Sequence, residues 1–394
     1  MTKKFADALF VGVILLILTA GLARTVFAPK EINTYENRYA NKIAPLTPDS
    51  WLKGSFQDSV DAALSDQVQL SEVYKRTYYD TASRFLWTAA APILPDLQGR
   101  YVNAAGTLLF DGNLVYGPRP LSQDMDGKTA AERLDDRADN YNQYFAAHPE
   151  LDFCVYYIER DIDLDFETGQ GMNARKYFLD RLELPAGRAG YLPVNSFEDF
   201  QSLFLQTDHH WNCRGSYLGY TQALELLLPG EAPLEPLGEP MEVGAMYGSR
   251  SLGLTSNFSE PFYAYRFDFP EMTAQRNGVP AASYGKQAAF LAGQGDERLT
   301  YGAFYGPDDG EAVLSTNRPD RENLLILGES YDNAVIQLLA SHFNNTYAVD
   351  LRYYQPYLGK DFRFSDYVEE RGITKVLLIG CMTYFCTPEG ALEG

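Results

Sequence analysis

Leu324-Leu325-Ile326-Leu327-Gly328-Glu329-Ser330-Tyr331 reads as a strand that ends in a tight turn and presents a serine. Four consecutive branched apolar residues with no alternation are the mark of a strand buried on both faces, as in a parallel sheet. The sequence downstream fits that setting. Residues 332–343 predict a helix with Ala334, Leu338 and Leu339 inward, 347–351 a strand, 364–370 a short helix and 376–379 a strand. This β-α-β-α-β order predicts a right-handed parallel sheet with helices on its faces. Upstream, the run Asp152-Phe153-Cys154-Val155-Tyr156-Tyr157-Ile158 is another strand of the same kind. Helices are expected over 129–148, 197–205 and 216–228, the last closed by Pro229-Gly230, and hairpins over 94–116 around Gly99, Gly106 and Gly112. From 230 to 320 proline, glycine and the alternation Tyr263-Ala264-Tyr265-Arg266-Phe267-Asp268-Phe269 suggest an antiparallel insertion. Val60, Leu64, Val68, Ser71 and Tyr74 predict a helix from Ser55 toward Phe85, packed on the main domain.

The protein has four histidines, and two of them stand together in Thr207-Asp208-His209-His210-Trp211-Asn212. A serine hydroxyl is a weak nucleophile until an imidazole takes its proton, and a carboxylate holds that imidazole in the right tautomer. Asp208 and His210 are two apart, so in an extended loop their side chains share a side and the carboxylate reaches Nδ1. His209 then points away, and Trp211 is available to wall a site or stack on a sugar ring. Ser330 lies at a strand's carboxyl end, where ligands bind in open parallel sheets. Gly328 is expected to relax the turn, and the helix from Asp332 to aim free N–H groups at a developing oxyanion. The bland alternatives are a capping serine and a structural histidine pair. Asp350-Leu351-Arg352-Tyr353-Tyr354 falls at the same sheet edge, with Arg352 able to hold an anionic substrate group or an acid such as Glu329. Asp-His-His is also the signature of manganese-dependent phosphoesterases, for which Asp161, Asp163 and Asp165 would be the further ligands; that reading has no place for Trp211 or Gly328-Glu329-Ser330.

Composition narrows the function. A net charge of −20 disfavours nucleic acid, whose phosphates are bound by Lys and Arg, and tight docking on anionic lipid. Lys3 and Lys4 precede an uncharged apolar stretch from Ala8 to Ala23, interrupted by Arg24 and close to the ~20 residues a membrane helix needs. Lysines ahead of the span place the N-terminus in the cytoplasm and the bulk of the chain outside, as a single-pass anchor; a cleaved signal peptide exports the body equally. Cys154, Cys213, Cys381 and Cys386 then face an oxidising side, where Cys381 and Cys386 are close enough in sequence to pair. None shows the Cys-x-x-Cys spacing of a zinc site.

Asp208-His209-His210-Trp211, a later Gly328-Glu329-Ser330-Tyr331 on a strand-to-helix turn and Tyr35-Glu36-Asn37-Arg38 after an N-terminal apolar segment resemble the bacterial DHHW proteins. These are similar to the alginate O-acetylation proteins, whose fold is SGNH-hydrolase-like. Ala63-Leu64-Ser65-Asp66-Gln67 fits the same pattern, and the resemblance runs from about residue 31 to the C-terminus. It implies an α/β, three-layer parallel sheet with flanking helices. Residues 1–28 would be a membrane anchor, 29–90 a connection and packed helix, and 91–394 a catalytic domain with an insertion around 230–320. It implies an extracytoplasmic O-acetyltransferase or esterase on a cell-envelope polysaccharide, with Ser330 as nucleophile, His210 as base and Asp208 as its orienter. Trp211, Tyr331, Arg352 and His209 would contact substrate. No metal or cofactor is implied, nothing resembles a coenzyme A site, and the acetyl donor would be a membrane-bound O-acyltransferase partner. The chain departs from the SGNH pattern at Glu329, where many relatives have a smaller residue, and in its oxyanion asparagine, for which Asn333 and Asn345 are the candidates. A catalytically silent polysaccharide-binding protein of the same fold and a metal-dependent hydrolase are the alternatives.

Overall fold

The computed structural model describes residues 3–27, 32–33, 38–67, 74, 77–78, 81, 107–252, 259–295 and 299–392. Tyr35-Glu36-Asn37, most of the expected helix beyond Gln67 and the turns at Gly99 and Gly106 lie outside them. A helix covers Lys3–Phe27, and Leu9, Phe10, Leu15 and Leu16 on it are exposed. Among the described residues no helix is long and apolar enough to cross a membrane, so the expected anchor finds no support here. The helix Ser55–Gln67 is tied to the preceding connection through Asp66, which accepts from the backbone N–H and the side-chain amide of Asn41 at 2.8 and 2.9 Å.

Eight strands form the central sheet: β1 (Asp152–Ile158), β2 (Ala189–Leu192), β3 (Thr273–Arg276), β4 (Val279–Ala281), β5 (Glu311–Ser315), β6 (Asn323–Leu327), β7 (Asn345–Val349) and β8 (Lys375–Cys381). Their order across the sheet is β4-β3-β5-β7-β6-β8-β1-β2. From β7 to β2 every pairing is parallel. At the other edge β5 runs antiparallel to β7, β3 to β5, and β4 to β3. The stretch expected to be an antiparallel insertion therefore does two things. Met241–Met246 and Glu260–Ala264 form a separate hairpin. Three further strands extend the main sheet, because Ala312 and Leu314 carry apolar side chains that its core can bury.

Successive side chains point to opposite faces, and the core divides accordingly. Leu324, Ile326, Leu377 and Ile379 face one side with helix α2 (Cys213–Leu227) and helix α3 (Ile336–Ala340). Leu325, Leu327, Val376 and Leu378 face the other, with helix α1 (Ala130–Ala147), helix α4 (Leu351–Leu358) and helix α5 (Phe364–Glu370). A capping box starts α1: the Thr129 hydroxyl accepts from the Glu132 N–H and the Glu132 carboxylate from the Thr129 N–H. The crossover from β6 to β7 packs on the first face and that from β7 to β8 on the second. The chain thus reverses direction across the sheet beside β6, and the carboxyl end of β6 is its topological switch point.

Two expectations about this edge change. The segment after Ser330 is not one helix: a 3-10 turn spans Asp332–Ala334 and α3 begins only at Ile336. The Asp332 and Val335 N–H groups bond to Glu329 and Asp332 carbonyls, so they are not free donors for an oxyanion. Asp350-Leu351-Arg352 does not continue β7 but starts α4, because the Asp350 carboxylate caps the Arg352 N–H at 3.0 Å. All four cysteines are buried and unpaired, Cys381 and Cys386 included.

Candidate active site

The loop carrying the two histidines is fixed before any catalytic role is considered. Asn212 caps α2, its side-chain oxygen accepting from the Arg214 and Gly215 N–H groups and its amide donating to the Ser202 and Phe204 carbonyls. Leu205 donates its N–H to the His210 carbonyl at 3.0 Å, closing the loop on itself. Glu260, from the separate hairpin, accepts from the Gln206 N–H, the Thr207 N–H and the Thr207 hydroxyl. Trp211 anchors the loop in the core. A Cβ on Gly219 of α2 would lie 2.5 Å from the indole, so only glycine lets that helix and ring approach as they do.

On this support Asp208, His210 and Ser330 form an unbroken chain. His210 Nδ1 lies 2.6 Å from Asp208 Oδ1, and His210 Nε2 lies 2.6 Å from Ser330 Oγ. A proton on Nδ1 satisfies both contacts, leaving Nε2 to accept the serine proton. The Ser249 N–H donates to the other oxygen of Asp208 at 2.6 Å. Burial would raise the Asp208 carboxyl, but His210, His209 and these hydrogen bonds outweigh it and hold Asp208 well below the usual carboxylate range. The His210 ring stacks face to face on Tyr301, with centroids 3.8 Å apart and planes 3° apart. The Tyr301 hydroxyl in turn accepts from Trp211 Nε1 at 3.1 Å and donates to the Tyr331 carbonyl at 3.2 Å. The imidazole is thus held at its edge by Asp208 and on its face by Tyr301.

Ser330 and both histidines open on a cavity of about 190 Å³, with Asp308, Asn333, Arg352 and Tyr353 on its wall. Gly328 has a role different from the expected relaxed turn: a Cβ there would meet Asp332 Oδ2 at 2.3 Å and Ile379 of β8 at 2.9 Å. Asn333 donates through Nδ2 to Asp308 at 3.0 Å and accepts from the Tyr284 hydroxyl at 2.7 Å. Asn345 lies at the start of β7, bonded to Asn323 at the opposite edge of the sheet, and drops out as an oxyanion candidate.

Of the residues expected to contact substrate, two are not placed to do so. Trp211 is 0% exposed with its indole N–H held by Tyr301, and Tyr331 is likewise fully buried with its hydroxyl donating to the His209 carbonyl. Their rings insulate the underside of the loop. His209 stays on the cavity wall, its Nδ1 3.0 Å from Ser249 Oγ and 3.3 Å from Asp208 Oδ1. Arg352 also reaches the cavity, but already grips Asp350 with Nε and Nη2 at 2.9 and 2.6 Å, and lies 3.6 Å from Asp308 and 4.0 Å from Glu329. Glu329 also accepts the Cys381 N–H at 3.0 Å. Tyr301, Ser249, Glu260 and Asp308 carry no sequence signal; each comes from the stretch of least regular pattern. For a metal ion, Asp208, His209 and His210 offer one ligand atom each, all within 4.8 Å of one another. The upstream acids do not join them. Asp161 is engaged by Arg160 and Arg250 at 2.8 and 2.5 Å, and Asp163 accepts from the Tyr157 hydroxyl and the Arg160 N–H.

No protein-family model matches the sequence, and neither does a curated protein. Among solved structures it is similar to PatB1 of Bacillus cereus, at a TM-score of 0.55 and 19% identity over 73% of this chain and 99% of that one. The same protein with a sulfonyl adduct aligns at 0.53, 19%, 73% and 100%. The O-acetyltransferase domain of AlgJ from Pseudomonas putida aligns at 0.39 and 13% identity, over 73% of this chain and 92% of that one. A DHHW family protein from Eubacterium siraeum aligns at a TM-score of 0.52 and 15% identity, over 74% of this chain and 98% of that one. The chain has the fold of that DHHW family protein, and Asp208-His209-His210-Trp211 spells the family's motif in the loop that holds the site.

Proposed function

We propose that the chain is a serine-dependent O-acetyltransferase or esterase, SGNH-like in its chemistry, acting on a cell-envelope polysaccharide. The observation that carries this reading is the hydrogen-bonded chain Asp208–His210–Ser330 opening into a cavity at the switch point of the sheet. Ser330 Oγ attacks the acyl carbonyl while its proton passes to His210 Nε2. Asp208 stabilises the imidazolium that forms and Tyr301 keeps its ring in plane. Asn333 Nδ2, with one hydrogen on Asp308 and a second remaining, is the side-chain donor nearest in sequence for the oxyanion. Collapse expels the donor's alcohol, which takes the proton from His210, and leaves acyl-Ser330. A sugar hydroxyl, or water in the esterase case, then gives its proton to His210 and takes the acyl group, and the serine is restored.

The cationic start and apolar stretch of the N-terminus support a body outside the cytoplasm, where a membrane-bound acyltransferase is the proposed donor. Protease added to intact cells should degrade residues 107–392; protection of that region would rule out the placement. The chemical reading is tested on the full chain with an activated acetyl ester and, separately, a sulfonyl fluoride, since PatB1 is known with a sulfonyl adduct. Intact mass and peptide mapping should find either group on Ser330, dependent on His210. A folded protein that takes neither favours the silent polysaccharide-binding reading. Reactivity lost to chelators and indifferent to Ser330→Ala would favour a metal held by Asp208, His209 and His210.

A further inference from the structure

Resting on that acyl-transfer reading, we infer that the acceptor is a glycan without carboxylates, and that a protonated amino sugar is taken in preference to a neutral one. The charges around the cavity carry this. Arg352 is the guanidinium on its wall, and three carboxylates already surround it: Asp350 at 2.6 Å, Asp308 at 3.6 Å and Glu329 at 4.0 Å. Asp208 adds a fourth anion, buried beneath the histidines. Asp332, also buried, lies behind Gly328. Neither histidine balances them. Burial and the adjacent His210 pull His209 well below the ordinary imidazole range, and His210 must be neutral to accept the serine proton.

Protonation does not reverse the sign. Burial pushes Asp350 up to about 6 and raises Asp308 and Asp332. If all three are counted as neutral, Asp208, Glu329 and Asp161 balance Arg352, Arg160 and Arg250, the last two lying close enough to help lower His209. With Asp308 and Asp350 ionised the anions are in excess by two, five carboxylates against three guanidiniums. A uronate carboxylate would thus bring one more anion to a guanidinium that is already neutralised. An ammonium would meet Asp308 Oδ2, whose 3.6 Å separation from Arg352 Nη2 is beyond hydrogen-bond reach. Arg352 is left to donate to sugar hydroxyls. One unbalanced charge about 5 Å away, partly screened, is worth on the order of tenfold in affinity. The net charge of −20 adds a salt-sensitive repulsion of any polyuronate.

In the transfer step the bond from the acetyl carbon to Ser330 Oγ breaks and one to the sugar oxygen forms; the sugar's proton goes to His210 and then to the serine. The test loads the full chain with acetyl from 4-nitrophenyl acetate and discharges it with glucosamine trimer, cellotriose or trigalacturonate at low and high salt. The expected order of acetylated product is glucosamine, cellotriose, trigalacturonate, with at least about tenfold between the ends and a narrower gap at high salt. Asp308→Asn should shrink the preference for the amino sugar. Equal or faster transfer to trigalacturonate overturns the inference, as does an amino preference untouched by Asp308→Asn. Binding of the three oligosaccharides to Ser330→Ala, read by calorimetry, separates the two claims. Tighter binding of the uronate defeats the charge argument whatever Ser330 does, whereas no adduct at Ser330 defeats the acyl-transfer reading.

Discussion

Three acid–imidazole–hydroxyl chains occur among the described residues; one, Glu150–His148–Ser365, lies on the exposed surface, and the other two differ in where they end. In the first, Asp208 holds His210 at 2.6 Å and His210 meets Ser330 at 2.6 Å on the wall of a cavity. In the second, Glu231 lies 3.5 Å from His342 Nδ1, and His342 Nε2 lies 2.7 Å from the Tyr220 hydroxyl. Glu231 is shared with Arg321 at 3.1 Å, so it does not serve the imidazole alone. Tyr220 is fully buried, its oxygen accepts the Leu234 N–H at 2.6 Å, and burial pushes its phenol up. The second chain fastens the segment after α2 to the end of α3. The three groups alone therefore do not make a reactive site. The first chain differs from both others in that its hydroxyl stands at a strand end and lines a cavity, where Tyr220 is sealed in the core and Ser365 lies on the outer surface.

That contrast can be broken by experiment. Ser330→Ala should remove acyl labelling and lower turnover by on the order of 10⁶-fold with folding intact, read by intact mass and hydrolysis of an activated ester. Asp208→Asn keeps the shape but favours the wrong tautomer, and about 10⁴-fold should be lost. Tyr301→Leu removes the stacked face from His210 and should lower turnover about 10²-fold through misorientation, with Tyr301→Phe recovering most of it. If Tyr301→Leu leaves turnover unchanged, Asp208 alone orients the ring. His342→Gln should leave acylation unchanged and lower stability by about 1 kcal/mol, a melting shift of about 2 °C. Burial pulls His342 below the ordinary imidazole value, so the folded state disfavours its protonation. Its contribution is therefore complete above about pH 6.5 and is lost as pH falls through the lower folded value. The wild-type melting temperature should drop on that descent, and His342→Gln should flatten the slope. An acylation defect in His342→Gln would show that the two chains are not independent.

The parts of the site that could be read from sequence are those whose geometry is local. Asp208 and His210 are two residues apart, and an extended loop alone puts them on one side. Leu324 to Leu327 is apolar at every position, and such a run belongs between two covered faces. Trp211 and Tyr331 read as substrate contacts in the sequence but are buried, because an aromatic beside a candidate site residue packs inward or outward according to what lies beneath it. Here Gly219 clears a slot for the indole, and the His209 carbonyl takes the Tyr331 hydroxyl. Residues 230–320 read as an insertion because short antiparallel strands alternate alike whether they stand apart or extend a larger sheet.

The sequence by itself determined four of the five parallel strands, the helices α1, α2 and α5 that cover them, and the pairing of one acid with one imidazole. Each depends on periodicity or on contacts within a few residues. Only the tertiary structure decided that His210 meets Ser330 and that Tyr301 lies flat on the imidazole. It also decided that Asp308 stands beside Arg352. The reason for the last is directional. β5 runs against β7, so its leading residues, not its trailing ones, arrive at the edge where the parallel strands end. Asp308 reaches the cavity from a strand's start, while Ser330 and Arg352 reach it from strand ends. Nothing local in a sequence records which way a distant neighbour will run.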